Sequence, residues 1–335
     1  MTVSAKIRKS SNHIFRIVLA ALVYIFLYIE LKQHQEQFDF ESIWISGLRN
    51  FKYILLAFLF MPVNWLIESV KWQFLIKKIE NVNLTSSIKA VFAGTAISIF
   101  TPNRIGDYLG RIFVLKKADR IDGTIATIVG NLSQLLITIL MGGFSLVYFS
   151  DSLTQIYLGN KDFQLVGIIA IFVIIIVLML LYFNFPLIEN SIYLRLKFNK
   201  IPVLKHLQLL SEYSRKDLVR VLSFSFIRYL IYSLQFYLLL IAFDIQLNMI
   251  EGLMIVFLIF FSLTIIPSIA VAELGLRAIV SITIFDIIGA KAGSDLALVS
   301  ATSSLWFINI ALASLIGGVF IFHLKFFRKN QMEDH

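Results

Sequence analysis

Residues 101–111 read TPNRIGDYLGR and lie between the apolar runs AVFAGTAISIF (90–100) and IFVL (112–115). A proline, two glycines, two arginines and an aspartate thus interrupt an otherwise oily region. Proline lacks a backbone donor and clashes with the preceding turn, so a helix entering this stretch must break near Pro102. The apolar segment before it, 87–100, covers about 21 Å at ~1.5 Å per residue, too little to cross a ~30 Å hydrocarbon layer.

A second interruption follows the same plan. In IIPSIAVAELGLR (265–277), Pro267 is followed by Glu273, Gly275 and Arg277, as Pro102 is followed by Arg104, Gly106, Asp107, Gly110 and Arg111. A glycine falls eight residues after the proline in both. Two apolar regions, 87–115 and 250–288, are therefore expected to be re-entrant or broken, with Pro102, Gly106, Gly110, Pro267 and Gly275 marking the breaks. Paired interruptions in the two halves point to an inverted pseudo-repeat with a site near the membrane midplane.

The rest of the chain sets the context. Of 335 residues, 58% are hydrophobic and 15% charged, against roughly 25% charged in a soluble domain. Full spans are expected at 14–31, 51–69, 123–149, 164–183, 218–242 and 296–322. The fold class is all-α: a polytopic helical membrane protein of about six full spans plus two interrupted regions. It forms a single membrane domain over 1–335, embedded over 14–322. The run from Ile14 is too long for a signal-peptide core and reads as the first span.

With both termini cytoplasmic, the inner segments hold 18 Lys and Arg and the outer loops 4. This is the positive-inside bias, and it explains the net charge of +9 without nucleic acid. The expected location is the cell inner (plasma) membrane. The 184–217 loop is basic with interleaved Leu, Ile and Tyr, which suits an amphipathic helix on anionic inner-leaflet headgroups or a plain topology anchor.

Charges near the bilayer centre cost on the order of 2.5–3.5 kcal/mol each. Arg104, Asp107, Arg111, Glu273 and Arg277 must therefore pair, snorkel or line a polar cavity. Arg104–Asp107 and Glu273–Arg277 have helical pairing distances. One reading makes all of them structural ion pairs. The other has the arginines hold an anionic group, since guanidinium presents a planar fork of donors to phosphate. Arg228, ten residues inside its helix, is a further intramembrane cation, either a ligand or a partner for Glu273 or Asp107. Asn131, Ser133 and Gln134 suit interhelical hydrogen bonds more than ligand contacts. Glu68 and Lys71, at a span's end, suit an interface pair, and Trp65, Trp72 and Trp306 suit the aromatic belt or packing.

Other chemistries are poorly served. There is no cysteine, and the five histidines (13, 34, 206, 323 and 335) are scattered without ligand spacing, so no metal and no cofactor is expected. No phosphate-cradling GxxxxGK[ST] stretch occurs.

The segments AGTAISIFTPNRIGDYLGRIFVL (93–115) and IPSIAVAELGLRAIV (266–280) resemble two signatures of the membrane domain of lysylphosphatidylglycerol synthase/flippase proteins. The likeness covers roughly residues 10–325. Asn103 and Asp107 stand where glycine and glutamate are usual, VGNLSQ replaces a frequent Glu-Arg pair, and LGLRA lacks an acid after the arginine. The resemblance implies a flippase-like membrane protein without the family's soluble aminoacyl-transferase domain and without enzymatic activity. It would bind and translocate a phospholipid or other lipid-linked headgroup, with Arg104, Asp107, Arg111, Arg228, Glu273 and Arg277 forming the substrate site. Membrane lipids are the expected partners, and a homo-oligomer is compatible with the reading. The alternative is a membrane glycosyltransferase, or an accessory to one, using a polyprenyl-phosphate donor. Asp39 and Glu41 in FDFES would then be its paired acids. A scaffold without transport is the third reading.

Overall fold

Helix starts are written plainly in this chain. In the computed structural model, Asn83, Asp119, Asn248 and Ser294 each accept a hydrogen bond from a backbone N–H in the first turn of the helix they open. Ser214 and Asp217 form a reciprocal capping box. Such caps satisfy N–H groups that a helix leaves orphaned. The structure describes residues 49–99, 101, 104–153, 161–184, 202–266, 270–290 and 294–323, with three isolated positions near the N-terminus. The expected span 14–31, Asp39, Glu41, Pro102 and Pro267 lie outside the described residues or, for 14–31, almost entirely so.

The helices are α1 (Phe51–Ile76), α2 (Leu84–Ser98), α3 (Gly106–Ile112), α4 (Arg120–Tyr148), α5 (Lys161–Phe183), α6 (Arg215–Ala242), α7 (Met249–Ile265), α8 (Ala270–Ile288), α9 (Asp295–Trp306) and α10 (Leu312–Phe320). A π-helical turn, Phe307–Ala311, joins α9 to α10 without ending the helix. No strand occurs among the described residues. Among the described residues, five helices are long and apolar enough to cross a membrane: α1, α4, α5 (from Gln164), α6 and the continuous α9–α10.

The 87–115 region contains α2 and α3, and the 250–288 region α7 and α8. The first pair is a tight hairpin. Thr101 Oγ1 accepts from the Gly106 N–H at 2.8 Å and donates to the Ser98 carbonyl at 3.1 Å, tying the end of α2 to the start of α3. α3 then runs back along α2. A Cβ on Gly106 would overlap the Ile97 carbonyl, and one on Gly110 would overlap the backbone of Gly94. Gly106 thus stands at the break, as the first residue of α3, whereas Gly110 lies inside α3; at both, a missing side chain lets two backbones touch. Gly275 also departs from expectation: it lies within α8, and an added Cβ would meet nothing within 4 Å.

α1 packs along α6 and also against α2 and α4, while α7 lies on α4 and α10 on α2. Hydrogen bonds stitch these contacts: Trp72 Nε1 to Thr127 Oγ1 at 3.1 Å, Gln235 Nε2 to the Ala57 carbonyl at 2.8 Å, and Ser145 Oγ to the Met254 carbonyl at 2.6 Å. Because lipid tails are as apolar as leucine, such close packing and hydrogen bonding carry helix association in a bilayer. Trp65, Trp72 and Trp306 are all buried, so they pack rather than form a belt. α5 is peripheral, exposing Leu165, Val166, Ile169, Val173, Ile176 and Leu180.

Of the 184–217 loop, residues 185–201 lie outside the described residues, and Pro202–Glu212 form a 3-10 helix against α4. Leu209 and Tyr213 are buried, and Tyr213 donates its hydroxyl to the Leu75 carbonyl at 3.0 Å. This half of the loop is docked on the bundle.

Candidate functional site

The two breaks meet. Arg104, just past the first, lies within 2.6 Å of Glu273 Oε1 on α8, 169 positions away. The same oxygen is bound by Arg277 Nη2 at 2.7 Å, so one carboxylate oxygen is shared by two guanidinium groups. Arg277 Nη1 also reaches the Tyr232 hydroxyl on α6 at 3.4 Å. The spacing-based pair Glu273–Arg277 forms, whereas Arg104 does not pair with Asp107. The reason is local: Arg104 adopts φ +57°, a left-handed conformation, before α3 begins, so helical i,i+3 geometry does not exist between them.

Asp107 instead pairs with Arg111 one turn on, Oδ1 to Nε at 2.8 Å. Arg111 Nη1 reaches Glu68 Oε1 on α1 at 2.8 Å. The other Glu68 oxygen lies 2.8 Å from Lys71 Nζ and 3.4 Å from Arg228 Nε. Glu68 is thus the hub of the second cluster, holding cations from α1, α3 and α6. Its side chain is 3% exposed and that of Lys71 1%, so the expected pair forms, buried between helices, and its own helix continues past it to Ile76. Lys71 further donates to the Gly130 carbonyl and the Ser225 hydroxyl, both at 3.3 Å.

Arg228 finds neither Glu273 nor Asp107. It bonds Gln134 Oε1 at 3.2 Å through Nη1, sits over the Trp65 ring at 5.5 Å, and approaches Glu68. Of the polar patch on α4, Ser133 meets Ser225 of α6 at 2.7 Å, an interhelical bond, while Asn131 and Gln134 face the space described next.

All six charged candidates line one cavity of about 800 Å³. Glu68, Asn64 and Trp65 of α1, Thr95 and Ser98 of α2, Tyr229 and Tyr232 of α6, and Asn309 complete much of its polar and aromatic wall. Asn309 lies in the π-helical turn and accepts from Asn64 Nδ2 at 3.3 Å. Such turns commonly re-aim side chains at functional sites.

One flank of the cavity is apolar and outward-facing. Ile128, Leu132 and Leu135 of α4, with Ile265 and Ile266 at the end of α7, line it while remaining exposed. α4 and α7 are in tight contact further along, where Gly142 abuts Phe261. The space is therefore charged inside and oily at one lip. Among the described residues no cluster of His, Cys, Asp or Glu is arranged to hold a metal ion.

These features define an integral membrane bundle with a charged cavity formed where two interrupted helical segments meet. The chain belongs to the family described as lysylphosphatidylglycerol synthase TM region, whose family model matches residues 13–328. No curated protein and no solved structure matches it. Sequence reasoning missed Asn64, Tyr232 and Asn309 as cavity residues, and it singled out Glu68 and Lys71 only as an interface pair. The signal for those two was that Leu75 and Ile76 resume the apolar pattern after Lys71.

Proposed function

We propose that this protein takes the polar headgroup of a membrane lipid into the cavity between its two interrupted segments and carries it between leaflets. The observation that supports this best is the pairing of an arginine-rich interior with an apolar, outward-facing lip. A headgroup phosphate suits the former, and acyl chains left in the bilayer suit the latter. Membership of a family tied to lysylphosphatidylglycerol synthesis adds support for a lipid. In this reading the chain has six full spans, counting 14–31, and an inverted pseudo-repeat built on the two breaks. It lies in the plasma membrane with both termini cytoplasmic, and it moves the lipid without altering it chemically.

Arg104 is the side chain best placed to engage an arriving headgroup: it is 46% exposed, and Glu273 occupies only one of its donors. The test is leaflet exchange of fluorescent phospholipid in liposomes carrying the purified protein. Wild type accelerates exchange. Arg104→Ala abolishes the acceleration in protein that remains folded, and Arg104→Lys restores little of it, because a point charge does not replace a planar fork. No acceleration over protein-free liposomes with any phospholipid refutes the translocation reading. An enzyme acting on a polyprenyl-phosphate donor is less well served, since Asp107, Glu68 and Glu273 are each held by an arginine and none is free as a base.

A further inference from the structure

The acids and bases of the cavity do not balance, and the surplus is split between its two clusters. Around the first break and α1, Lys71, Arg111 and Arg228 face two carboxylates, Glu68 and Asp107. At the second break, Arg104 and Arg277 face one, Glu273. Each cluster therefore holds one cation more than its carboxylates. Both clusters adjoin the same 800 Å³ space: Lys71 stands buried behind Glu68 without lining it, and the described residues that do line it carry four arginines against three carboxylates. An unmatched charge at membrane depth is costly, so a bound counter-charge stabilises this arrangement strongly.

Resting on the lipid reading above, we propose that the cavity selects headgroups of net negative charge. A phosphate bearing two negative charges, as a phosphomonoester or a diphosphate, matches it best, and headgroups of net positive charge are rejected. The rejection follows from the carboxylates. Each is already engaged by at least one guanidinium within 2.8 Å, so a cationic amine finds no uncommitted acid and meets more arginines than carboxylates, with the Lys71 charge behind Glu68 added to them. A phosphate finds the opposite. Arg104 and Arg228 retain donors without partners among the described residues, and each belongs to a different cluster. The apolar lip at Leu132 and Ile265 favours a phosphate that arrives on a lipid over a free one.

The experiment is competitive lipid retention by the full chain in neutral detergent, read by native mass spectrometry at pH 8. The probes are dioleoyl phosphatidic acid, phosphatidylglycerol, phosphatidylethanolamine and lysylphosphatidylglycerol, with inorganic phosphate as a separate arm. The expected order is the order given, with phosphatidic acid retained about tenfold over phosphatidylethanolamine, a difference equivalent to about 1.4 kcal/mol. Arg228→Gln removes the surplus of the first cluster. It should bring the phosphatidic acid to phosphatidylglycerol ratio close to one while phosphatidylglycerol still exceeds phosphatidylethanolamine. Glu273→Gln adds a surplus charge and should steepen the order. Retention indifferent to charge, or led by lysylphosphatidylglycerol, overturns this inference and leaves the lipid reading standing. Inorganic phosphate that displaces phosphatidic acid at equal concentration also overturns it, making the site one for free phosphate. Retention of no lipid overturns both readings together.

Discussion

Glu68→Gln is the substitution that most sharply loads the buried network. It is nearly isosteric, so packing around α1 is kept while one negative charge disappears. Three cations lose their common partner: Lys71 and Arg111 at 2.8 Å and Arg228 at 3.4 Å. Removing one partner of a buried ion pair costs about 3–5 kcal/mol, because the other is left charged and unsolvated. Here one carboxylate serves three cations, and only Arg111 has a second acid, Asp107. The loss is therefore expected near the upper end, about 5 kcal/mol. Thermal unfolding of the purified protein in detergent measures it, with Glu212→Gln as an exposed control that should fall within ~0.5 kcal/mol of wild type. Adding Lys71→Met to Glu68→Gln removes one stranded cation and should recover part of the loss, with a coupling of about 0.5–3 kcal/mol. If Glu68→Gln melts with the Glu212→Gln control, the hub role assigned to Glu68 is wrong.

Gly110→Ala pushes a methyl group into the Gly94 backbone and should cost about 1–3 kcal/mol by thermal melting. Gly275→Ala, with open space around the new Cβ, should be neutral or stabilising by up to ~1 kcal/mol, since glycine is a poor helix former. For topology, a reporter fused after His335 should read as cytoplasmic and one inserted within 150–163 as external. Two cytoplasmic readings refute the orientation.

Much of this arrangement was legible before any coordinates. The prolines, the short 87–100 run and the misplaced charges pointed to α2 with α3, and α7 with α8, as separate segments, whereas the Asn, Asp and Ser caps that open the helices went unread. What was not legible depends on three-dimensional approach. Glu68 and Lys71 looked like the end of a span because charge is the usual sign of one. In fact partners on α3 and α6 let the helix carry them inside. Gly110 and Gly275 occupy matching places in the sequence, yet one touches a backbone and the other faces open space, a difference no spacing rule encodes. Arg104 was given the wrong partner because a left-handed residue removed the helical geometry that the spacing assumed. The net charge of the cavity became countable only once three helices and two breaks were seen to converge.

The central claim is that both breaks build one lipid-accessible cavity, and the absence of cysteine from the chain makes it directly measurable. Arg104→Cys combined with Glu273→Cys, treated in native membranes with a short bifunctional thiol reagent, places one label on each break. The account predicts an intramolecular crosslink that forms readily. No crosslink, with both cysteines still reacting singly with a monofunctional reagent, would contradict it.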